Sequence, residues 1–381
     1  MARPGLRPMR ILPTLEARRG ALEKCVFCPK LCRSACPVSN AEPRETITPW
    51  GKMSLAWMAA HGDVPVDSSH AAPAWACTGC YACREACDHK NVVADVLLDA
   101  RTALTRAGVA PDGAKRVLAG FGAHEAAARD ATREIAATHP GVRPDAPDVL
   151  LIGCGYLRAA PREARDAIDA AVGLSGEPVA LAGGCCGLPL LLAGDFDAFA
   201  RHARALASSL KGRERITVVD AGCALTLRRR YPDAGIELTA RVELLVERAA
   251  RELGSLQPVA HEAGQVRWHD PCQLGRGLGV YEAPRAVLGR MLGRAPDEFD
   301  EHREWAACSG AGGLLPSTMP ENSRGIAQAR VEAHERAGGG RIVTACASSL
   351  LSFRRRATGT GVAVDDLVTW LARSVARPRA L

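Results

Sequence analysis

Eight of the chain's fifteen cysteines fall in two tight groups, and no other feature of the sequence limits its fold so sharply. Cys25, Cys28, Cys32 and Cys36 follow C-x2-C-x3-C-x3-C with Pro37 next, and Cys77, Cys80, Cys83 and Cys87 follow C-x2-C-x2-C-x3-C. Thiols in such number could mean disulfides, but disulfide scaffolds are small secreted modules, and the opening residues carry no apolar stretch of the kind that directs export. The expected compartment is the reducing cytoplasm. Short spacings let one loop wrap a cube so that three thiolates reach three irons while the fourth crosses to a neighbouring cube. Zinc is the competing reading, since C-x2-C pairs also build ribbons and fingers. Zinc usually takes two pairs rather than three close thiols with a trailing fourth, so the spacing favours two [4Fe-4S] clusters.

The two groups resemble those of two-cluster ferredoxins. That resemblance implies one [4Fe-4S] cluster on Cys25, Cys28, Cys32 and Cys87, and a second on Cys77, Cys80, Cys83 and Cys36. Two departures are visible: Pro29, Lys30 and Leu31 make the second gap one residue longer than usual, and Asp88 stands where a second proline is common. Between the groups, Trp50 to Ala60 and Asn91 to Ala107 have helical periodicity. Trp50, Trp57 and Trp75 read as core before they read as an electron path, and His61, His70 and His89 as surface or core residues before ligands.

The remaining seven cysteines form an internal repeat. Cys154 is followed by Cys185-Cys186-Gly187 and then by Cys223; Cys272 is followed by Cys308-Ser309-Gly310 and then by Cys346. Thirty-five residues separate the glycine from the last cysteine in both copies. Strand-like runs precede four of these thiols: Val149 to Ile152, Ile216 to Val219, Val266 to Trp268, and Ile342-Val343. Helical patterns at Pro161 to Val172, Phe196 to Leu210 and Asn322 to Ala337 alternate with them, which predicts βα units and parallel sheets whose strand ends gather ligands. Inert buried thiols would explain one such cysteine, but not seven at matched offsets.

This repeat resembles the CCG domain of the heterodisulfide reductase catalytic subunit. A ferredoxin module followed by two such units is similar to the iron–sulfur subunits of glycolate oxidase, anaerobic glycerol-3-phosphate dehydrogenase and lactate-utilisation enzymes. His269-Asp270-Pro271-Cys272-Gln273-Leu274-Gly275-Arg276 carries that likeness, with Gln273 in place of the usual second histidine. Cys25 to Arg33 resembles, more narrowly, iron–sulfur proteins of N-methylated amine catabolism. The family's unit has five cysteines; here Thr226 and Ser349 replace the last, and Ser309 replaces one of the central pair. A hydroxyl resists deprotonation where a coordinated thiol ionises. Cys154, Cys185, Cys186 and Cys223 therefore suffice for a third cluster. Cys272, Cys308 and Cys346 would leave one iron open, hold a three-iron cluster, or bind nothing. His269 reads equally as a hydrogen-bonding neighbour of that second site and as a structural histidine.

The expected architecture is α+β and multidomain: an N-terminal helical ferredoxin-like module (residues 1–107), a helical connector (108–147), and two repeated α/β CCG units (148–262 and 263–381) packed about a pseudo-twofold. A chain that is 47% hydrophobic and 24% charged is globular, and its net charge of +7 is too diffuse to point to nucleic acid. Arg228 to Arg230 and Arg354 to Arg356 each close a predicted helix, where cations suit the dipole. No apolar run is long enough to span a membrane, although the basic arm from Arg3 to Lys24 leaves a peripheral position at the inner face open. Gly275-x-Gly277-x-Gly279 lacks the setting of a nucleotide loop, and neither a flavin nor an NAD site is expected. The resemblance implies an iron–sulfur subunit relaying electrons between a flavoprotein dehydrogenase or electron-transfer flavoprotein and a quinone or membrane carrier. The alternative is an enzyme acting on a thiol or disulfide at the CCG site.

Overall fold

The computed structural model describes residues 7–30, 32–260 and 264–375. Arg3 of the basic arm, Leu31 of the first cysteine group and the junction at 262 and 263 lie outside these residues. Helix accounts for 59% of the structure and the sheets are small and parallel, so the chain is α+β rather than one large α/β sheet. Packing divides it into two compact units: residues 1–121 with 189–199 and 307–327, and residues 122–188 with 200–306 and 328–381.

The first unit is helical. Pro49–His61, Val93–Arg106 and the shorter Arg19–Val26 bury apolar faces around Trp75, Met53, Val96 and Leu97. Pro49 opens its helix at the first position, where a missing N–H costs nothing, and Thr48 caps it by accepting from Gly51 N at 3.0 Å. Trp75 is wholly buried and Trp57 packs on the same core, in line with a packing role.

The second unit holds both sheets. Strands β1 (Asp148–Leu151), β2 (Ala180–Leu181), β3 (Arg215–Val218) and β4 (Arg241–Leu244) lie in the parallel order β2-β1-β3-β4. Strands β5 (Val266–Trp268), β6 (Arg341–Thr344) and β7 (Ala363–Asp366) form the second sheet, β5-β6-β7, also parallel. The central strands read as continuous apolar runs because both faces are covered. What corresponds to β2 in the second sheet is a single bridge: Trp268 N bonds to Asp297 O at 2.9 Å, and Asp297 N to Val266 O at 2.8 Å.

The repeat is also a packing symmetry. The helix Pro161–Ser175, which follows β1, packs on Leu367–Ser374, which follows β7. Its counterpart after β5, Glu282–Leu292, packs on Leu245–Arg251 after β4. The same exchange recurs at the strand ends, where Cys154–Ala159 meets Ala347–Ala357 and Ala221–Leu225 meets Gln273–Gly277. Each of these contacts thus has a partner with the two halves swapped, the signature of a pseudo-twofold.

Candidate metal centres

Cys25 occupies the last turn of its helix, and Asn91 reaches it from far along the chain, donating to its Sγ at 3.0 Å and to Ala21 O at 2.8 Å. Burial pushes the Cys25 thiol up to about 12 against that hydrogen bond, with Cys32, Cys87 and Cys28 adding to the rise. Cys32 is pushed up to about 11 by burial and then by Cys87 and Cys28. These four sulfurs therefore feel one another as a group. A thiol so reluctant to ionise is anionic only when a metal displaces its proton.

Cys36, Cys77, Cys80 and Cys83 line one small pocket. Lys52 enters it, buried, with Nζ 3.4 Å from Cys36 Sγ. Burial alone would lower the pKa of that ammonium, but Cys36, Cys77 and Cys83 together hold it above its ordinary value. A buried cation held in a ring of sulfurs fits a centre with net negative charge on its thiolates. Arg101, also buried, fixes the loop by donating to the carbonyls of Ala74 (3.0 Å), Cys77 (2.9 Å), Leu192 (3.0 Å) and Gly313 (3.1 Å). Gly313 is at φ 64°, and a Cβ there would fall on the Cys77 carbonyl, so only glycine allows the approach.

In the second unit a chain of thiol hydrogen bonds runs from Cys154 to Cys185, Cys186 and Cys223. The hydrogen bonds among them raise Cys185 and Cys223 and lower Cys154 and Cys186. Asp220 sets Cys223 at a helix start, accepting from Gly222 N at 2.8 Å and Cys223 N at 3.3 Å. Gly153, at φ 102°, leaves room for the Cys223 sulfur, which a Cβ would meet at 3.4 Å. The helix Asp112–Thr138 adds residues with no motif to announce them. Glu125 Oε2 accepts from Cys185 N at 2.8 Å, and His124 joins Cys154 and Cys185 with their donor atoms all within 4.8 Å of one another. His202 Nε2 lies 2.7 Å from Cys185 O, and Tyr231 donates to Cys186 O at 3.1 Å.

The cysteines of the second repeat are placed differently. Cys308 belongs to the first compact unit, and Cys272 and Cys346 to the second. Cys346 is pushed up to about 12 by burial and by Asp220, and Ser349 hydrogen-bonds to it. Thr226, at the matching position of the first repeat, is fully buried and turns its hydroxyl to Gly222 O at 2.7 Å. His269 is buried and meets Phe353 edge-on with ring centroids 4.7 Å apart. Asp270 beside it is held in the ionised form against burial by Arg285, which contacts both carboxylate oxygens at 2.8 Å.

Comparison with known proteins finds two kinds of domain in the chain. The 4Fe-4S dicluster domain matches residues 21–91, and the cysteine-rich domain matches residues 149–228 and again 266–354. A subunit of the fumarate reductase (CoM/CoB) of Methanothermobacter marburgensis is 32% identical over 164 residues, 42% of this chain and 32% of the relative. A subunit of the dihydromethanophenazine:CoB–CoM heterodisulfide reductase of Methanosarcina mazei is 33% identical over 158 residues, 39% of this chain and 38% of the relative. The EtfAB:quinone oxidoreductase of Syntrophomonas wolfei is 35% identical over 104 residues, 27% of this chain and 14% of the relative. The chain spans less than half the length of each of these three. No described helix is long and apolar enough to cross a membrane. The chain belongs with the iron–sulfur proteins that join a 4Fe-4S dicluster domain to a tandem pair of cysteine-rich domains.

Proposed function

We propose that this chain is an electron-transfer subunit that relays electrons between a flavoprotein dehydrogenase or electron-transfer flavoprotein and a quinone or membrane carrier. The carrying observation is the convergence of twelve thiols into three groups: Cys25, Cys28, Cys32 and Cys87; Cys36, Cys77, Cys80 and Cys83; and Cys154, Cys185, Cys186 and Cys223. Each group would hold one iron–sulfur cluster, and clusters so bound supply one-electron chemistry across a wide span of potentials. Asn91 and Lys52 offset negative charge at the first two groups, and Glu125 and His202 fix the backbone of the third. The division into a module at 1–107, a connector at 108–147 and two units at 148–262 and 263–381 belongs to the same reading, as does a cytoplasmic location at or near the inner face of a membrane. The relative named an EtfAB:quinone oxidoreductase supports this choice of partners.

The relatives named as CoB–CoM enzymes favour the second reading, chemistry on a thiol or disulfide. Thr226 and Ser349 weigh against it, since both are buried hydroxyls with hydrogen-bond partners of their own and add no thiolate.

Iron and acid-labile sulfide per chain after anaerobic purification test the assignment. About twelve irons, with three distinct paramagnetic signals on reduction, are expected for three cubes. About eight would remove the third. For the relay, reduced electron-transfer flavoprotein should reduce the clusters, and the reduced chain should pass electrons to a soluble quinone; failure of both steps with clusters intact would overturn it.

A further inference from the structure

The helix Cys154–Ala159 carries Cys154 at its first position and Arg158 four residues later, so thiol and guanidinium share one face. His124, from the helix Asp112–Thr138, meets both. Its donor atom falls within 4.8 Å of those of Cys154 and Cys185, and Arg158 Nη1 lies 2.7 Å from its Nδ1. Three such donors invite a mixed histidine–cysteine metal site. Arg158 decides otherwise. A guanidinium can only donate, so Nδ1 accepts, and the neutral ring carries its proton on Nε2. A nitrogen holding a proton has no lone pair for a metal, but it is a hydrogen-bond donor to sulfur.

We propose that His124 donates a hydrogen bond from Nε2 to the sulfur of Cys154, locked in that tautomer by Arg158, and so raises the reduction potential of the centre held by Cys154, Cys185, Cys186 and Cys223. The proposal rests on the assignment of a cluster to those four thiols. An N–H directed at a ligating sulfur stabilises the electron-rich, reduced centre more than the oxidised one. Reduction adds one electron to the centre, and no bond to His124 is made or broken. His124 is in this sense a positioning and tuning residue. The bond from Arg158 supplies the ring orientation that a metal-bound histidine would take from the metal itself.

The test compares wild type with His124→Ala, His124→Gln and Arg158→Met, each purified anaerobically. Iron and sulfide are counted, and the potential of the third signal is read by dithionite titration followed by electron paramagnetic resonance. His124→Ala is expected to keep the wild-type iron content and to move the third signal to lower potential while leaving the first two in place. His124→Gln retains an N–H and should recover part of the shift. Arg158→Met frees Nδ1 and should shift the signal in the same direction by less. An unchanged potential with full iron in both His124 variants would overturn the proposal while leaving the cluster assignment standing. Loss of iron from His124→Ala, with a strong directly bonded nitrogen coupling in the wild type, would make His124 a ligand and overturn it too. A wild-type protein with only two clusters would remove the assignment and the proposal together.

Discussion

Two halves of one repeat end their strands in very different surroundings. In the first, β1 and β3 deliver Cys154 and Cys223 to a group of thiols in hydrogen-bond contact. In the second, β5 leads into His269 and Asp270, whose surroundings are rings and guanidinium groups: Phe353 against His269, and Arg285 shared between Asp270 and Glu298. Both halves keep the same parallel strand order and exchange the same helix contacts. The scaffold therefore does not depend on a full thiol set. Where thiols are fewer, a buried ion-pair network occupies the ground next to the strand end.

The comparison breaks most visibly on metal content. Cys185→Ala with Cys186→Ala should remove about four irons, one cube's worth, and spare the dicluster signals. Cys272→Ala with Cys346→Ala should leave iron and sulfide at the wild-type level. Equal losses from the two pairs, measured side by side, would show that the halves are functionally alike.

Stability should respond in the opposite sense. Asp270→Ala leaves Arg285 with Glu298 but without the buried carboxylate that also accepts from Trp268 Nε1 at 3.0 Å and Arg303 N at 2.8 Å. Removing one partner of a buried pair costs about 3–5 kcal/mol. Anaerobic urea unfolding should show that loss with the iron content of the folded protein unchanged. A loss below about 1 kcal/mol, the worth of an exposed pair, would contradict the structural role given to this motif.

The cysteine groups and the repeat were legible because ligand spacing is a local property. The helices came out within a few residues: Pro49–His61 where Trp50 to Ala60 had the periodicity, and Phe196–Ser209 for Phe196 to Leu210. Of the four strands that precede cysteines, β1, β3 and β6 carry largely apolar runs after their first residue, and β5 holds Arg267 between Val266 and Trp268. Strands β2, β4 and β7 carry no such signal, being two residues long or interrupted by charge, as in Arg241–Leu244 and Ala363–Asp366. His124 and Glu125 could not be found by motif, since only the three-dimensional approach of Asp112–Thr138 to the thiols gives them a role. Lys52, in a helix, and Asn91, just before one, were hidden for the same reason: nothing in the local sequence marks which polar residue will face a sulfur. Cys154 and Arg158 stand four apart on a helix, a local signal, but one without meaning until His124 lies across it.

The finest distinction between the halves lies at the last strand of each sheet. β4 ends in Leu244, whose N–H bonds to Glu247 Oε2 at 3.0 Å, whereas β7 ends in Asp366, a buried carboxyl that takes a hydrogen bond from Tyr156 at 2.7 Å and caps the next helix through Val368 N at 3.0 Å. Burial raises the Asp366 pKa to about 7, despite the opposing bonds from Val368 and Tyr156. A carboxyl whose pKa is raised on folding adds stability below its unfolded value, about 4, and loses it as pH climbs through its folded value. Asp366→Asn keeps the cap and the polar contact but has nothing to ionise. Its advantage over wild type should thus be near its full size at pH 7.5 and, below pH 7, shrink by about 1.4 kcal/mol for each pH unit down toward 5. Paired anaerobic denaturation curves at these pH values measure that difference directly. A constant offset between the two proteins would mean that Asp366 stays charged in the fold, and the cap, rather than the buried proton, would then be what distinguishes the second half.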